Sequence, residues 1–293
     1  MKKGDDVSSV FFGTPVFAVY TLNALEAAGI VPSIIVTAPD KPAGRGLELT
    51  PPPVKLWAEE RDIPVLQPES LRKENETTML LKNSEWDVFI VAAYGKILPA
   101  DILSLPRRGT LNVHPSLLPK FRGPSPIESQ ILADEKNTGV SIMVLDEEVD
   151  HGPVVAQASV TPEEWPLRAS LLEEMLATIG GELLAETYAP WINGSISAEP
   201  QTHQEATFTK KIEKADGELS LADDGYQNYL KYCAYDGWPG VFFMHEKNSG
   251  EKIRVKITDA TYQDGAFVPL KVIPEGKKEI DYETFLRSVS PSS

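Results

Sequence analysis

The apolar positions of this chain fall into short runs whose period switches repeatedly between two and about 3.6, the periods of strand and helix. Residues 7–12 form a first apolar run that stops at Gly13-Thr14-Pro15. Phe17, Tyr20 and Leu25 then recur as one face of a helix ending at Gly29, with Thr14 expected as N-cap and Pro15 as first helical residue. Residues 30–37 predict a second strand. Residues 38–53 are too rich in Pro and Gly for a regular element, and long for an α/β connection. A short helix over 54–61, a short strand over 64–66 and a polar helix over 71–83 follow. Residues 87–93 are nearly all apolar, as in a strand buried on both faces. Strands over 110–114, 138–145 and 154–160 alternate with helices over 127–133 and 165–188. This alternation predicts an α/β fold: a Rossmann-like, mostly parallel sheet with helices on both faces.

The pattern changes after a polar stretch that begins near residue 191 and lasts to about 205, which reads as a linker. After a short helix near 226–232, apolar runs at 240–244, 252–258 and 266–270 are separated by turn residues, so a small β-barrel or sandwich is expected. The domain expectation is therefore 1–190, a linker over 191–205, and 206–293. Within the second domain Lys252, Arg254 and Lys256 alternate with Ile253, Val255 and Ile257, which puts three cations on one strand face and the core on the other. Lys210-Lys211 adds to that basic surface.

Charge qualifies this picture. The net charge of −15 argues against generic nucleic-acid binding, but residues 206–293 carry 12 Lys+Arg against 14 Asp+Glu, so the acidity lies in the first two-thirds. The single cysteine, Cys233, excludes an internal disulfide framework and fits a reducing cytoplasm. No apolar run is long enough to span a membrane, so no membrane partner is expected. The glycine content of the first turn falls short of G-x-G-x-x-G, which weighs against a dinucleotide-dependent oxidoreductase.

The chemistry points to one stretch. In Leu111-Asn112-Val113-His114-Pro115 a strand stops at a proline, and Asn112 and His114, two residues apart, project to the same side. Ligand crevices of open α/β sheets lie at such carboxyl ends. The turns after 93, 114 and 145 can meet there. An imidazole with a nearby carboxylate is an acid/base arrangement, and an amide can donate to a developing oxyanion. No closely spaced metal-ligand motif is present, and no G-x-S-x-G marks Ser116 as a nucleophile, so metal-free direct transfer is expected.

Asn112-Val113-His114-Pro115-Ser116-Leu117-Leu118-Pro119, followed by Phe121-Arg122-Gly123-Pro124 and by Asp150 ahead of Gly152, resembles the 10-formyltetrahydrofolate-dependent formyltransferases. Gly13-Thr14-Pro15, the loop from Lys41 through Arg45 to Lys55, and Ala206-Thr207-Phe208-Thr209-Lys210-Lys211 are similar to the members that act on methionyl-tRNA. The resemblance implies a formyltransferase domain followed by an OB-like barrel that helps hold tRNA, in a monomer whose co-substrate is 10-formyltetrahydrofolate and whose partner is initiator methionyl-tRNA. It implies catalytic roles for Asn112, His114 and Asp150. The donor would lie against Tyr94, Gly95, Lys96, Ile97 and Leu98, the string Ser116, Leu117, Leu118 and Pro119, and Asp146. Lys41, Arg45, Lys210, Lys211, Lys252, Arg254 and Lys256 would meet the tRNA. His151 stands where the resemblance leads one to expect a small residue. A sugar-nucleotide N-formyltransferase and a non-catalytic folate- or RNA-binding protein on the same scaffold are the alternatives.

Overall fold

The computed structural model describes residues 7–43, 48–247 and 250–289. The chain divides into two compact units, one drawn from residues up to Gly123 with 138–160 and 173–208, the other from 124–137, 161–172 and the chain from Thr209 onward.

The first unit is built on a seven-stranded sheet. Its strands are β1 (Ser9–Gly13), β2 (Ile34–Val36), β5 (Val65–Leu66), β6 (Val88–Ala92), β7 (Thr110–His114), β8 (Thr138–Val144) and β9 (Val154–Val160), in the order β5-β2-β1-β6-β7-β8-β9. The pairings from β5 to β7 are parallel, whereas β7–β8 and β8–β9 are antiparallel. The parallel-dominated sheet expected from the sequence is thus present, with two reversed strands at one edge. Helices α1 (Val16–Ala27), α2 (Pro53–Glu59), α3 (Glu76–Lys82) and α4 (Ala100–Leu103) connect the parallel strands. β1, β6 and β7 are buried along their whole length, as their unbroken apolar runs require.

Two layers of side chains fix the sheet. Val10, Phe12, Val36, Phe89 and Val91 pack on one face with Leu81 of α3 and Ile102 of α4. The long helix α6 (Ala169–Asn193) presses Gly180 so close to the sheet that an added Cβ would lie 2.6 Å from Val113 Cγ1 and 2.9 Å from Val140 Cγ1. Gly181 does the same toward α1, where a Cβ would sit 2.7 Å from that of Ala24. Val113 therefore faces α6, and its neighbours Asn112 and His114 face the other side. The register pairs Asn112 with Val91 and Val91 with Phe12, so the two polar residues continue the face of the Phe12 layer.

Local signals mislead in four places. Thr14 does not cap α1: the N-cap is Pro15, without a side-chain bond, while the Thr14 hydroxyl donates to Tyr94 O (3.2 Å) and accepts from Ala38 N (3.3 Å), tying together the ends of three strands. The helix expected from residue 71 starts only at Glu76, because Asn75 closes a capping box with Thr78. The helix expected from residue 165 starts at Ala169, since Pro166 disfavours helical backbone before it. Within the Pro- and Gly-rich stretch, β3 (Lys41–Ala43) and β4 (Glu48–Thr50) form an antiparallel hairpin. Pro42 is tolerated there because a two-stranded ribbon consists only of edges.

The second unit holds α5 (Pro126–Leu132), α7 (Gly225–Ala234), a four-stranded antiparallel sheet in the order β10 (Val241–Glu246), β11 (Lys252–Gln263), β12 (Ala266–Pro274) and β13 (Ile280–Asp281), and α8 (Tyr282–Val289). The β-rich end expected of the last third is this sheet. Residues 161–172 are tied to the region after α7 by Arg168, whose Nη2 lies 2.6 Å from Asp236 Oδ1 and whose guanidinium covers the Tyr232 ring. Ser170 also donates to Asp236. Cys233 is buried, and burial pushes its thiol up to about 11, so it is a packing residue rather than a reactive one. Among the described residues no helix is long and apolar enough to cross a membrane.

Two stability tests follow from this packing. In an exposed helix Gly→Ala stabilises by roughly 1 kcal/mol. Gly180→Ala is expected to destabilise instead, by about 1–3 kcal/mol in a denaturant melt, because two stiff, buried valines cannot yield. For Asp236, burial alone would raise the carboxyl, but hydrogen bonds from Arg168 and Ser170 outweigh it and hold the group below its ordinary value. Its contribution is therefore complete above the usual carboxylate range and is lost as pH falls through the lowered value. Asp236→Asn should cost roughly 1–3 kcal/mol at neutral pH, and the difference from the unsubstituted chain should shrink on acidification.

Candidate active site

β7 sets the site. Its last residue, His114, precedes Pro115, which cannot extend the ladder, and the chain turns. Asn112 and His114 are both buried. Among the described residues no group hydrogen-bonds the Asn112 amide, which keeps slight exposure (9%) on the face it shares with His114. His114 Nε2 lies 3.1 Å from Phe121 O. A carbonyl only accepts, so this nitrogen carries the proton. The other, Nδ1, lies 3.7 Å from Asp150 Oδ1, and a second proton on the ring would face that carboxylate.

Asp150 reaches His114 by a route the sequence does not indicate. The expectation is that the three loops after residues 93, 114 and 145 meet at carboxyl strand ends. Because β8 is antiparallel to β7, its own carboxyl end lies beside the amino end of β7, with Leu145 N donating to Thr110 O (2.8 Å). The acidic loop therefore has to return toward His114 before β9 begins. Asp150 sits in the left-handed region (φ 47°), and its Oδ2 accepts from Gly123 N at 2.7 Å. Gly152 is obligatory, since a Cβ there would lie 1.9 Å from Val144 O. The segment Phe121–Arg122–Gly123 thus holds His114 by one backbone group and Asp150 by another. It is itself held by Thr207, whose hydroxyl accepts from Phe121 N (2.8 Å) and whose carbonyl accepts from Arg122 N (2.9 Å).

The structure places the other expected residues unevenly. Tyr94 is buried against Phe12, and burial pushes its phenol up to about 12; its carbonyl is the one tied to Thr14. Gly95 turns the chain with φ 75°, Ile97 is exposed and Leu98 is buried. Lys96 donates to Pro68 O and Glu69 O, and burial holds its amine below the ordinary lysine value. In the motif string Ser116 is fully buried, its hydroxyl donating to Lys120 O, and its carbonyl accepts from Ser141 Oγ; it is a strut rather than a nucleophile. Leu118 is buried while Leu117 and Pro119 are half-buried. Asp146 accepts from His151 Nδ1 at 2.7 Å.

Lys41 is exposed on the β3–β4 hairpin, and Arg45 lies outside the described residues. Lys55 is drawn to Asp40 (2.8 Å), which Gln67 also bonds. Hydrogen bonds from Gln67 and Lys55 hold the Asp40 carboxyl below its usual value, so a closed polar clamp sits at the foot of the hairpin. Lys210 pairs with Asp216 (3.1 Å) and Lys211 is exposed. Lys252 and Lys256 are exposed opposite the buried Ile253, Val255 and Ile257, and Arg254 lies over the Phe242 ring at 3.8 Å. Among the described residues no group of His, Cys, Asp and Glu could hold a metal ion. Gln201 and His203, which touch the 121–123 and 150–152 segments, carry no signal in the sequence, because they sit in the stretch that reads as linker; Thr207 falls in the block from Ala206 to Lys211, whose resemblance does not indicate its contact with Phe121 and Arg122.

The family described as formyl transferase matches residues 7–185. A methionyl-tRNA formyltransferase of Chloroflexus aurantiacus is 43% identical over 264 residues, covering 90% of this chain and 84% of that protein. Among solved structures, a methionyl-tRNA formyltransferase from Clostridium thermocellum superposes with a TM-score of 0.59 at 14% identity, over 94% of this chain and 99% of that one. An N-formyltransferase from Helicobacter canadensis, in complex with folinic acid and dTDP-3-aminofucose, superposes with a TM-score of 0.62 at 16% identity, over 88% and 89%. These two likenesses bear on the fold, and the family match and the sequence identity bear on kinship: the chain belongs to the methionyl-tRNA formyltransferases of the formyl transferase family.

Proposed function

We propose that this enzyme transfers the formyl group of 10-formyltetrahydrofolate to the α-amine of methionyl-initiator-tRNA, by direct attack through a tetrahedral intermediate. The observation that carries the reading is the unpaired, slightly exposed Asn112 amide beside the His114–Asp150 pair, at the carboxyl end of a strand, in a chain of this family. When the amine attacks, the carbonyl π electrons move to oxygen. The Asn112 amide, on a strand buried along its length, is a fixed donor for that oxyanion. A doubly protonated His114 adds positive charge, and Asp150 holds its ring and balances that charge. As the intermediate collapses, the C–N10 bond breaks, the attacking nitrogen loses a proton and N10 gains one. Asp150, 3.7 Å from His114 Nδ1, is the carboxylate assigned to that exchange.

The donor's pterin would lie against the backbone of residues 94–98 and the Asp146–Asp150 loop. The H. canadensis enzyme, solved with a folate compound, supports a donor of this class. The tRNA would be met by Lys41 of the hairpin, by Arg45, by Lys210 and Lys211, and by the strand face of Lys252, Arg254 and Lys256. Because the chain carries −15, tRNA binding would depend on these local cations and weaken steeply with salt.

Single-turnover transfer to methionylated initiator tRNA tests the reading. Transfer to initiator and not to elongator methionyl-tRNA is expected; activity confined to a free amino-sugar nucleotide would overturn it. His114→Ala should keep tRNA and folate affinity while losing about 10²–10⁴-fold in the chemical step. Replacing Lys252, Arg254 and Lys256 together by Ala should raise KM for tRNA, leave kcat near its original value, and flatten the salt dependence by about one unit of slope for each phosphate that is no longer neutralised.

A further inference from the structure

A closed ring of side chains lies behind the His114–Asp150 pair. Arg122 is 3% exposed, and its guanidinium is bound to two neutral groups. Nε and Nη2 donate to Gln201 Oε1 at 3.1 and 2.7 Å, and Nη2 donates to His203 Nδ1 at 2.9 Å. The same Gln201 turns its amide NH₂ the other way, donating to Asp150 O at 2.9 Å and to Gly152 O at 2.7 Å. Between those two carbonyls stands His151. Its ring stacks on His203 at 4.1 Å with planes 3° apart, and its Nδ1 bonds Asp146. The ring therefore runs from Arg122 through Gln201 to the backbone of 150–152, across the two imidazoles, and back to Arg122. His151 thereby acquires a physical account: its side chain closes the ring.

We infer that Gln201 is a positioning residue for formyl transfer, an amide fork that sets the backbone of Asp150 so that its carboxylate meets His114. The inference rests on the proposed reaction. Three features carry it. Asp150 sits in the left-handed region, uncommon for a non-glycine residue though less costly for aspartate than for most. Gln201 donates to the carbonyls on both sides of residue 151, and so fixes the direction in which Asp150 leaves the loop. Its acceptor half holds Arg122, the residue between the two backbone groups that bind His114 and Asp150. Every hydrogen-bonding position of the Gln201 side chain is used, and it is buried. A small displacement of a reacting group is enough to cost about 10²-fold in rate.

Gln201→Glu separates the two halves of the fork. It keeps an oxygen for Arg122, and it places a second oxygen where Asp150 O and Gly152 O need a donor. Kinetics of formyl transfer to methionylated initiator tRNA, read with a thermal melt, should show kcat lowered about 10²-fold, KM for both substrates unchanged, and a displaced limb in the pH profile of kcat/KM. In an Asp150→Ala background the same substitution should cause no further loss of kcat, because it acts through Asp150. If Gln201→Glu does not fold, Gln201→Leu takes its place in the same cycle. A kcat equal to that of the unsubstituted enzyme overturns the inference, as does a loss that persists undiminished without the Asp150 carboxylate. Absence of transfer by the unsubstituted enzyme would instead refute the proposed reaction, so the two failures are distinguishable.

Discussion

The site depends on one narrow strip, Phe121 to Gly123, gripped between two titratable side chains. Its first carbonyl accepts a hydrogen bond from His114 Nε2, and its last amide donates to the Asp150 carboxylate. These two backbone groups give His114 and Asp150, which lie on separate elements, a shared point of attachment. The strip has no regular secondary structure to stiffen it, so its rigidity is borrowed. Thr207 holds its outer edge, and the buried Arg122 anchors its middle. Asn112 needs none of this, because β7 sits in the middle of a buried sheet and its direction is set by the ladder.

That difference decides what is legible in the sequence. Asn112 and His114 can be placed together because the two-residue period of a strand is local, and Pro115 marks where it stops. The exposed cations of β11 are legible for the same reason. Asp150 can be picked only by its spacing from Gly152 and by the family resemblance. Its path cannot, because nothing in residues 138–145 tells an antiparallel strand from a parallel one. Thr14 shows the limit in miniature: its position before Pro15 reads as a cap, yet two bonds to distant strand ends take its hydroxyl away. Gln201 is wholly hidden, and Thr207 shows only as part of the block from Ala206 to Lys211, without its role. A polar stretch rich in Ser, Thr and Gln looks like linker until the backbone groups it satisfies are known.

On the proposed reading, the chain's acidity is offset by the distribution of its cations rather than by total charge. Cations that could meet phosphate are set on particular strands and a hairpin, while others are spent internally. Lys55 closes a clamp on Asp40, Lys96 is bound to two carbonyls, and Arg168 is paired with Asp236. Counting Lys and Arg in the sequence cannot separate these groups, since pairing is a tertiary property.

The central claim is that His114 and Asp150 act as one device held by the 121–123 strip. The most direct measurement is the single-turnover rate of formyl transfer for His114→Ala, Asp150→Ala and the two combined. If they form a unit, the combined variant should be about as slow as the slower single one. Losses that multiply, each substitution taking its full toll regardless of the other, would contradict the account.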